Sequence, residues 1–287
     1  MLGAHQMSDF NAGPAPAEFN PVNEIGRFFN WFAAALALAN YALVFSTLVA
    51  PLHLPGKPDW PEATLIVTAT FATLVALSRQ LPMQNALLAA AIIGGIGTAA
   101  HCLTAVVAIP FGPQRFTDAA GPKLFDRVSW AMPMLWVLIV LNSRGVARLI
   151  LRPWRKLRAY GFWLIGLTVI LTTLFVIALE PFAGAIKRYW LWDPTRLPLT
   201  WGGAPLTNIL GWGVVTALIM AFAAPALIDK RARPAKRTPD FHPLVSWLLA
   251  LALFATATAT HQMWLPFGYC LVLAGVTTTF AWRGARW

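Results

Sequence analysis

An acid at the end of a long apolar run is the first feature with chemical promise. Glu180 closes the run 160–180 and is followed by Pro181, then Lys187 and Arg188, then the aromatic residues Tyr189, Trp190 and Trp192. A carboxyl group in that place can give a proton to a substrate, or it can pair with a nearby Lys or Arg at a membrane interface. His101 is the second such feature. It follows the small-residue stretch Gly94-Gly95-Ile96-Gly97-Thr98-Ala99-Ala100, which allows close helix approach, so its imidazole is either an interhelical hydrogen-bonding group or a functional ionisable one. His261 closes a later apolar run on the same side of the chain's path.

Two connections carry the remaining candidates. Ile109-Pro110-Phe111-Gly112-Pro113-Gln114-Arg115-Phe116-Thr117-Asp118 is short, rigid and aromatic. The other ends in Trp201-Gly202-Gly203-Ala204-Pro205-Leu206-Thr207-Asn208, followed by Gly211-Trp212. Asn208, one turn inside a helix beside Pro and Gly, either satisfies a helix start or hydrogen-bonds a ligand. Asp118 is a second carboxylate close to these rings.

The elements that must hold these groups are membrane helices. The 287-residue chain is 58% hydrophobic and 11% charged, where soluble domains run near 45–50% and about 25%. Its mean hydropathy is +0.61. A soluble fold could not hide that apolar surface, which excludes soluble enzymes, disordered tails and disulfide scaffolds. Cys102 and Cys270 both lie inside apolar runs and read as packing residues.

Eight runs are long enough to cross a hydrocarbon core of about 30 Å: 28–50, 62–78, 84–108, 130–150, 160–180, 205–228, 244–261 and 265–282. The last two are separated by only a few residues around Gln262, so seven spans with a long broken hairpin is the alternative. No run alternates as barrel strands do, and backbone in lipid must satisfy itself, so the fold expected is an all-α polytopic membrane helix bundle. Residues 1–27, with Pro14, Pro16 and Pro21, form a polar lead without a secretory core; 28–287 form one transmembrane helical domain.

The net charge of +11 is largely topology. Of 22 Lys and Arg, 15 fall in the lead, the second, fourth and sixth connections and the tail. Arg144, Arg148, Arg152, Arg155, Lys156 and Arg158 make one group; Lys230, Arg231, Arg233, Lys236 and Arg237 make another. The positive-inside rule puts these, with both termini, in the cytoplasm of what reads as a bacterial inner membrane. No motif or aromatic interleaving supports nucleic-acid binding. The sequence has no dinucleotide glycine fingerprint and no dense His/Cys set, so no cofactor or metal is expected. There is no Lys in the last two runs for a retinal Schiff base, and no convincing inverted repeat for a transporter.

At the two connections the chain resembles the integral-membrane carotenoid biosynthesis proteins, the carotenoid hydratases and their relatives. The first match runs from His101 through Ile109-Pro110-Phe111-Gly112 to Phe116-Thr117, Gly121 and Trp130-Ala131-Met132-Pro133-Met134-Leu135-Trp136. In the family an acidic residue precedes a Pro-Phe-Gly turn, a Tyr-x-Tyr-Thr segment, and a helix with Pro and Trp. The second match is Glu180-Pro181, Trp190-x-Trp192, and the series from Trp201-Gly202-Gly203 to Asn208 and Gly211-Trp212. Order and spacing agree over about residues 95–215. The chain departs from the pattern where His101 stands for a Glu, Gln114 and Phe116 for two Tyr, and Glu180 for an Asp.

The resemblance implies addition of water across a terminal double bond of an acyclic carotenoid or related isoprenoid, without a cofactor. It makes Glu180 the acid and His101 or Asp118 the water-orienting base. Phe111, Phe116, Trp190, Trp192, Trp201 and Trp212, with Asn208, become substrate-binding residues. The expected partners are a carotenoid or other isoprenoid lipid and the membrane lipids. A non-catalytic protein that binds or transports such lipids explains the spans and aromatic belt equally well.

Overall fold

Inside a bilayer each backbone polar group must bond within its own segment, and the apolar runs do so as helices. The computed structural model describes residues 21–50, 60–194, 199–228 and 238–287. Among them are eight helices: α1 (Pro21–Val49), α2 (Trp60–Ser78), α3 (Met83–Val107), α4 (Met132–Ile150), α5 (Tyr160–Glu180), α6 (Leu206–Ala223), α7 (His242–Thr260) and α8 (Trp264–Ala285). All eight are long and apolar enough to span a membrane. The protein is an all-α polytopic bundle.

The largest difference from the expected spans is at the first. Helix α1 begins at Pro21 rather than near 28, because proline lacks only a donor that the first helical turn leaves free anyway. Residues 1–20 of the polar lead lie outside the described residues, as do Lys230, Arg231, Arg233, Lys236 and Arg237 of the basic sixth connection. The final pair is two helices. A turn at His261–Met263 separates them, with Gln262 at φ 58° and the Met263 N–H donating to the Thr258 carbonyl at 2.8 Å.

Helix α4 is the axis of the bundle and packs against α2, α3, α5, α7 and α8. Lipid supplies no hydrophobic drive between helices, so close packing must hold them, and small residues permit it. Gly97 of α3 is one such place: a methyl group there would run into the Trp136 ring of α4. The small-residue stretch before His101 is therefore the surface on which α4 lies.

The two ends of the bundle are built differently. At one end, polar side chains tie helices directly. Arg148 donates to Gln80 Oε1 at 2.7 Å, the Gln80 amide donates to Asp240, and Arg144, buried, donates to the Leu227 carbonyl at 2.7 Å. At the other end the α3–α4 and α5–α6 connections carry short antiparallel strands, β1 (Gln114–Phe116), β2 (Lys123–Leu124), β3 (Val128–Ser129), β4 (Trp190–Trp192), β5 (Thr200–Trp201) and β6 (Ala204–Pro205). β2 pairs with β3 and β5 with β6 as local hairpins, while β1 pairs with β4 across the two connections.

Candidate functional site

The β1–β4 pair is what unites the two motif segments. Helix α3 closes with Ala108 in the left-handed region, its N–H donating to the Thr104 carbonyl at 2.8 Å. The chain then turns through Pro110-Phe111-Gly112. Gly112 has φ 97°, and a Cβ there would lie 2.8 Å from the Thr207 hydroxyl of α6, so the turn needs glycine. The following strand aligns Gln114 with Trp192 and Phe116 with Trp190. Helix α5 reaches the same place by continuing through a π-helical turn over Pro181–Ile186.

His101 sits at the centre of a filled aromatic cluster. It is 2% exposed, and its Nδ1 meets Gln114 Oε1 at 3.1 Å. Its ring stacks on Phe111 at 4.3 Å and meets Phe116 and Trp212 edge-on at 5.7 and 5.8 Å. Beneath it Trp136 and Trp212 stack at 3.8 Å, joining α4 to α6. Gln114 is thus the buried hydrogen-bonding partner of His101.

Glu180 is 1% exposed. Among the described residues no Lys or Arg is ion-paired with it. The Trp190 indole N–H donates to Oε2 at 3.1 Å, and the Asn208 amide donates to Oε1. One carboxyl group therefore ties the end of α5 to β4 and to the first turn of α6. Trp190 continues the chain of contacts, meeting Phe116 edge-on at 5.9 Å, so the Glu180 and His101 clusters share a wall. Trp192 packs against the same core from β4. Trp201 stands apart: its indole donates to the Ile177 carbonyl at 2.7 Å and its ring meets Tyr269 of α8. His261 is exposed on the α7–α8 turn, with Nδ1 against its own helix at the Ala257 carbonyl.

Beside these clusters lies a cavity of about 360 Å³, within the range of ligand pockets. It is bordered by the start of α2, the start of α4, the end of α5 with its π-helical turn, β4, α7 and the turn Asp118–Pro122. Of the ten residues picked from sequence, Phe116, Asp118 and Trp190 line it, whereas His101, Glu180 and Asn208 are in the packed layer behind. Asp118 is at the rim with its side chain in solvent, paired with Lys123 at 2.8 Å. Glu62, in the first turn of α2, also lines it; the residue is 6% exposed, its carboxylate oxygens are fully buried, and it is ion-paired with Lys187. Among the described residues, no group of three or more His, Cys, Asp or Glu is placed to hold a metal ion.

Glu62, Phe182 and Tyr189 line the cavity and were missed by sequence reasoning, as was the pairing of Glu62 with Lys187. The signal for Glu62 was present, since it opens an apolar span as Glu180 closes one. Lys187 was visible only as a basic residue near Glu180, and its actual partner is 125 positions away in sequence, which no local pattern reveals.

The sequence model of a family described as carotenoid biosynthesis protein matches residues 62–277. The chain belongs to that family. No curated protein and no solved structure matches it. As a carotenoid biosynthesis protein it acts in that biosynthesis, from within the membrane its helices span. The matched residues begin at Glu62 and hold every residue of the cavity wall except Tyr41 of α1, together with both clusters behind it.

Proposed function

We propose that this carotenoid biosynthesis protein hydrates a terminal double bond of an acyclic carotenoid or a related isoprenoid. The observation that carries the reading is the cavity: a space of about 360 Å³, walled largely by apolar and aromatic side chains, with the Asp118 carboxyl group at its rim. An acyclic carotenoid is about as long as a bilayer's hydrocarbon core is thick, about 30 Å. The cavity therefore takes one end of such a chain and leaves the remainder along the bundle.

Hydration needs a proton delivered to an unactivated alkene, a wall that tolerates a tertiary cation, and one water. Phe116, Trp190, Phe175, Phe182 and Phe254 present ring surfaces to the cavity. A ring face attracts a desolvated cation by about 2 kcal/mol. In this reading Glu180 and Asn208 fix the Trp190 wall, His101 and Gln114 fix Phe116, and Asp118 at the solvent rim orients the entering water. Phe111, Trp212, Trp192 and Trp201 act one layer further out, by holding the loops in register.

The same reading places the cavity end of the bundle outside the bacterial inner membrane, with both termini cytoplasmic, in keeping with the 15 Lys and Arg of the opposite side. A reporter fused after Lys236 should then behave as cytoplasmic, and a periplasmic signal overturns the orientation. The test of activity is pigment chemistry. Cells making lycopene and expressing the protein should accumulate a product heavier by the mass of one water.

A second reading, non-catalytic binding or transport of the same lipids, is favoured by one observation: of Glu180, His101 and Asp118, only Asp118 lines the cavity. Lycopene that copurifies with the protein unchanged in mass decides for that reading and against hydration.

A further inference from the structure

The cavity is shorter than a carotenoid. Along α4 its wall runs from Met132 in the first turn to Ile139, about 10 Å at 1.5 Å per residue. An acyclic chain of about 30 Å must therefore continue out of it. The rim at Asp118 opens to solvent, so an apolar remainder leaves from the opposite end, deeper in the bundle. Tyr41 of α1 stands at that end. It lines the cavity, is 5% exposed, and donates its hydroxyl to the Ser246 carbonyl of α7 at 3.3 Å. Because α7 runs toward the rim, Ser246 lies one turn further from it than Ala250, the α7 wall residue nearest the helix start. The Tyr41 side chain thus crosses from α1 to α7 at the inner end of the cavity.

Helix α1 is held mainly from the other side. Its Ala33 and Ala37 pack on Ala72 and Val75 of α2, and Asn40 accepts from the Thr64 hydroxyl of α2 at 2.8 Å. The next residue, Tyr41, reaches α7 instead, so α1 bridges α2 and α7 with the tyrosine at the junction. The residues matched by the family model begin at 62, and this helix lies outside them. We propose that Tyr41 is a specificity-determining residue: its ring forms the neck between α1 and α7 through which the remainder of a long acyclic isoprenoid leaves the cavity. The inference rests on the reading of the cavity as the seat of an isoprenoid end, and deepens it by naming what selects chain length. A short acyclic isoprenoid that fits within about 360 Å³ does not meet the neck. A carotenoid lies against the tyrosine ring for as long as it is bound. Tyr41 is at the far end from Asp118, so it touches the chain and not the reacting bond.

The test offers purified protein equal amounts of lycopene and myrcene, a short acyclic isoprenoid hydrocarbon, and reads the ratio bound by extraction and mass spectrometry. Tyr41→Trp narrows the neck and should lower the lycopene-to-myrcene ratio about 10-fold, because the cost of overpacking falls on the long chain alone. Tyr41→Ala widens the neck and should raise the ratio, so one folded variant of the two suffices. Tyr41→Phe keeps the ring and removes the hydrogen bond to Ser246; its ratio should equal that of wild type. A merely structural tie would lower the binding of both hydrocarbons together, and a ratio that neither Tyr41→Trp nor Tyr41→Ala shifts overturns the proposal. So does a Tyr41→Phe ratio shifted as far as that of Tyr41→Trp. Lycopene that binds with the expected shifts in ratio but is never hydrated overturns the hydratase reading and leaves the neck standing. A wild-type protein that binds neither hydrocarbon overturns both.

Discussion

Around His101 every ring has another ring against it, while the neighbouring cavity leaves about 360 Å³ of space between its walls. The two regions share Phe116 and Trp190, lie at the same end of the bundle and are both aromatic, yet one is filled and the other is open. The difference explains why the recognisable motifs belong to the filled one. Close packing of a histidine with four rings fixes the identity of each residue, and a carboxyl group with two donors fixes Trp190 and Asn208. A cavity for an apolar chain asks only for apolar walls, so Leu65, Ile66, Leu135 and Ala183 look like any membrane helix residue.

That contrast yields predictions ordered by their effect on stability. Trp136→Ala should be the most damaging, at about 3–5 kcal/mol, because it removes the ring stacked at 3.8 Å on Trp212 and the one that fits against Gly97. Thermal unfolding in detergent measures it, and a midpoint close to wild type would mean the His101 region is not the framework. Asn208→Leu strips one of the two donors from Glu180 and leaves a buried oxygen unpaired, about 1–3 kcal/mol. Proteolysis of the purified protein should show the α5–α6 connection opened, and an unchanged cleavage pattern contradicts the tie. Gln114→Leu removes the partner of His101 and should cost about 1 kcal/mol. If activity fell steeply while the melting midpoint did not move, His101 would be a chemical group and not a framework one.

The eight spans were legible because lipid imposes one rule on every backbone segment, and runs such as 84–108 and 160–180 match α3 and α5 closely. The small-residue stretch of α3 was also readable as a close-approach surface, since Gly94 and Gly97 sit against Pro133 and Trp136. What the sequence does not carry is the β1–β4 pairing, made between connections far apart in the chain by strands of three residues each. Without it Glu180 looks like a lone acid, and its neighbours Lys187 and Arg188 look like its partners. The pairing and the π-helical turn send Lys187 to Glu62 instead, and leave Glu180 with Trp190 and Asn208. Trp201 belongs to the motif series but ends up against Tyr269, because its hairpin turns toward α8.

The smallest effect on stability should come from filling the open region, and it bears on the central claim most directly. Leu135 lines the cavity from α4, and Leu135→Trp places a larger side chain into existing space, so its cost should stay below the roughly 1 kcal/mol at which overpacking of a filled core begins. The measurement is the mass of pigment in the membranes of lycopene-producing cells that carry wild type or Leu135→Trp at equal protein level. The account predicts product heavier by one water with wild type, and unaltered lycopene with the filled cavity. Hydration undiminished in Leu135→Trp would contradict it, because the chemistry would then lie outside the cavity.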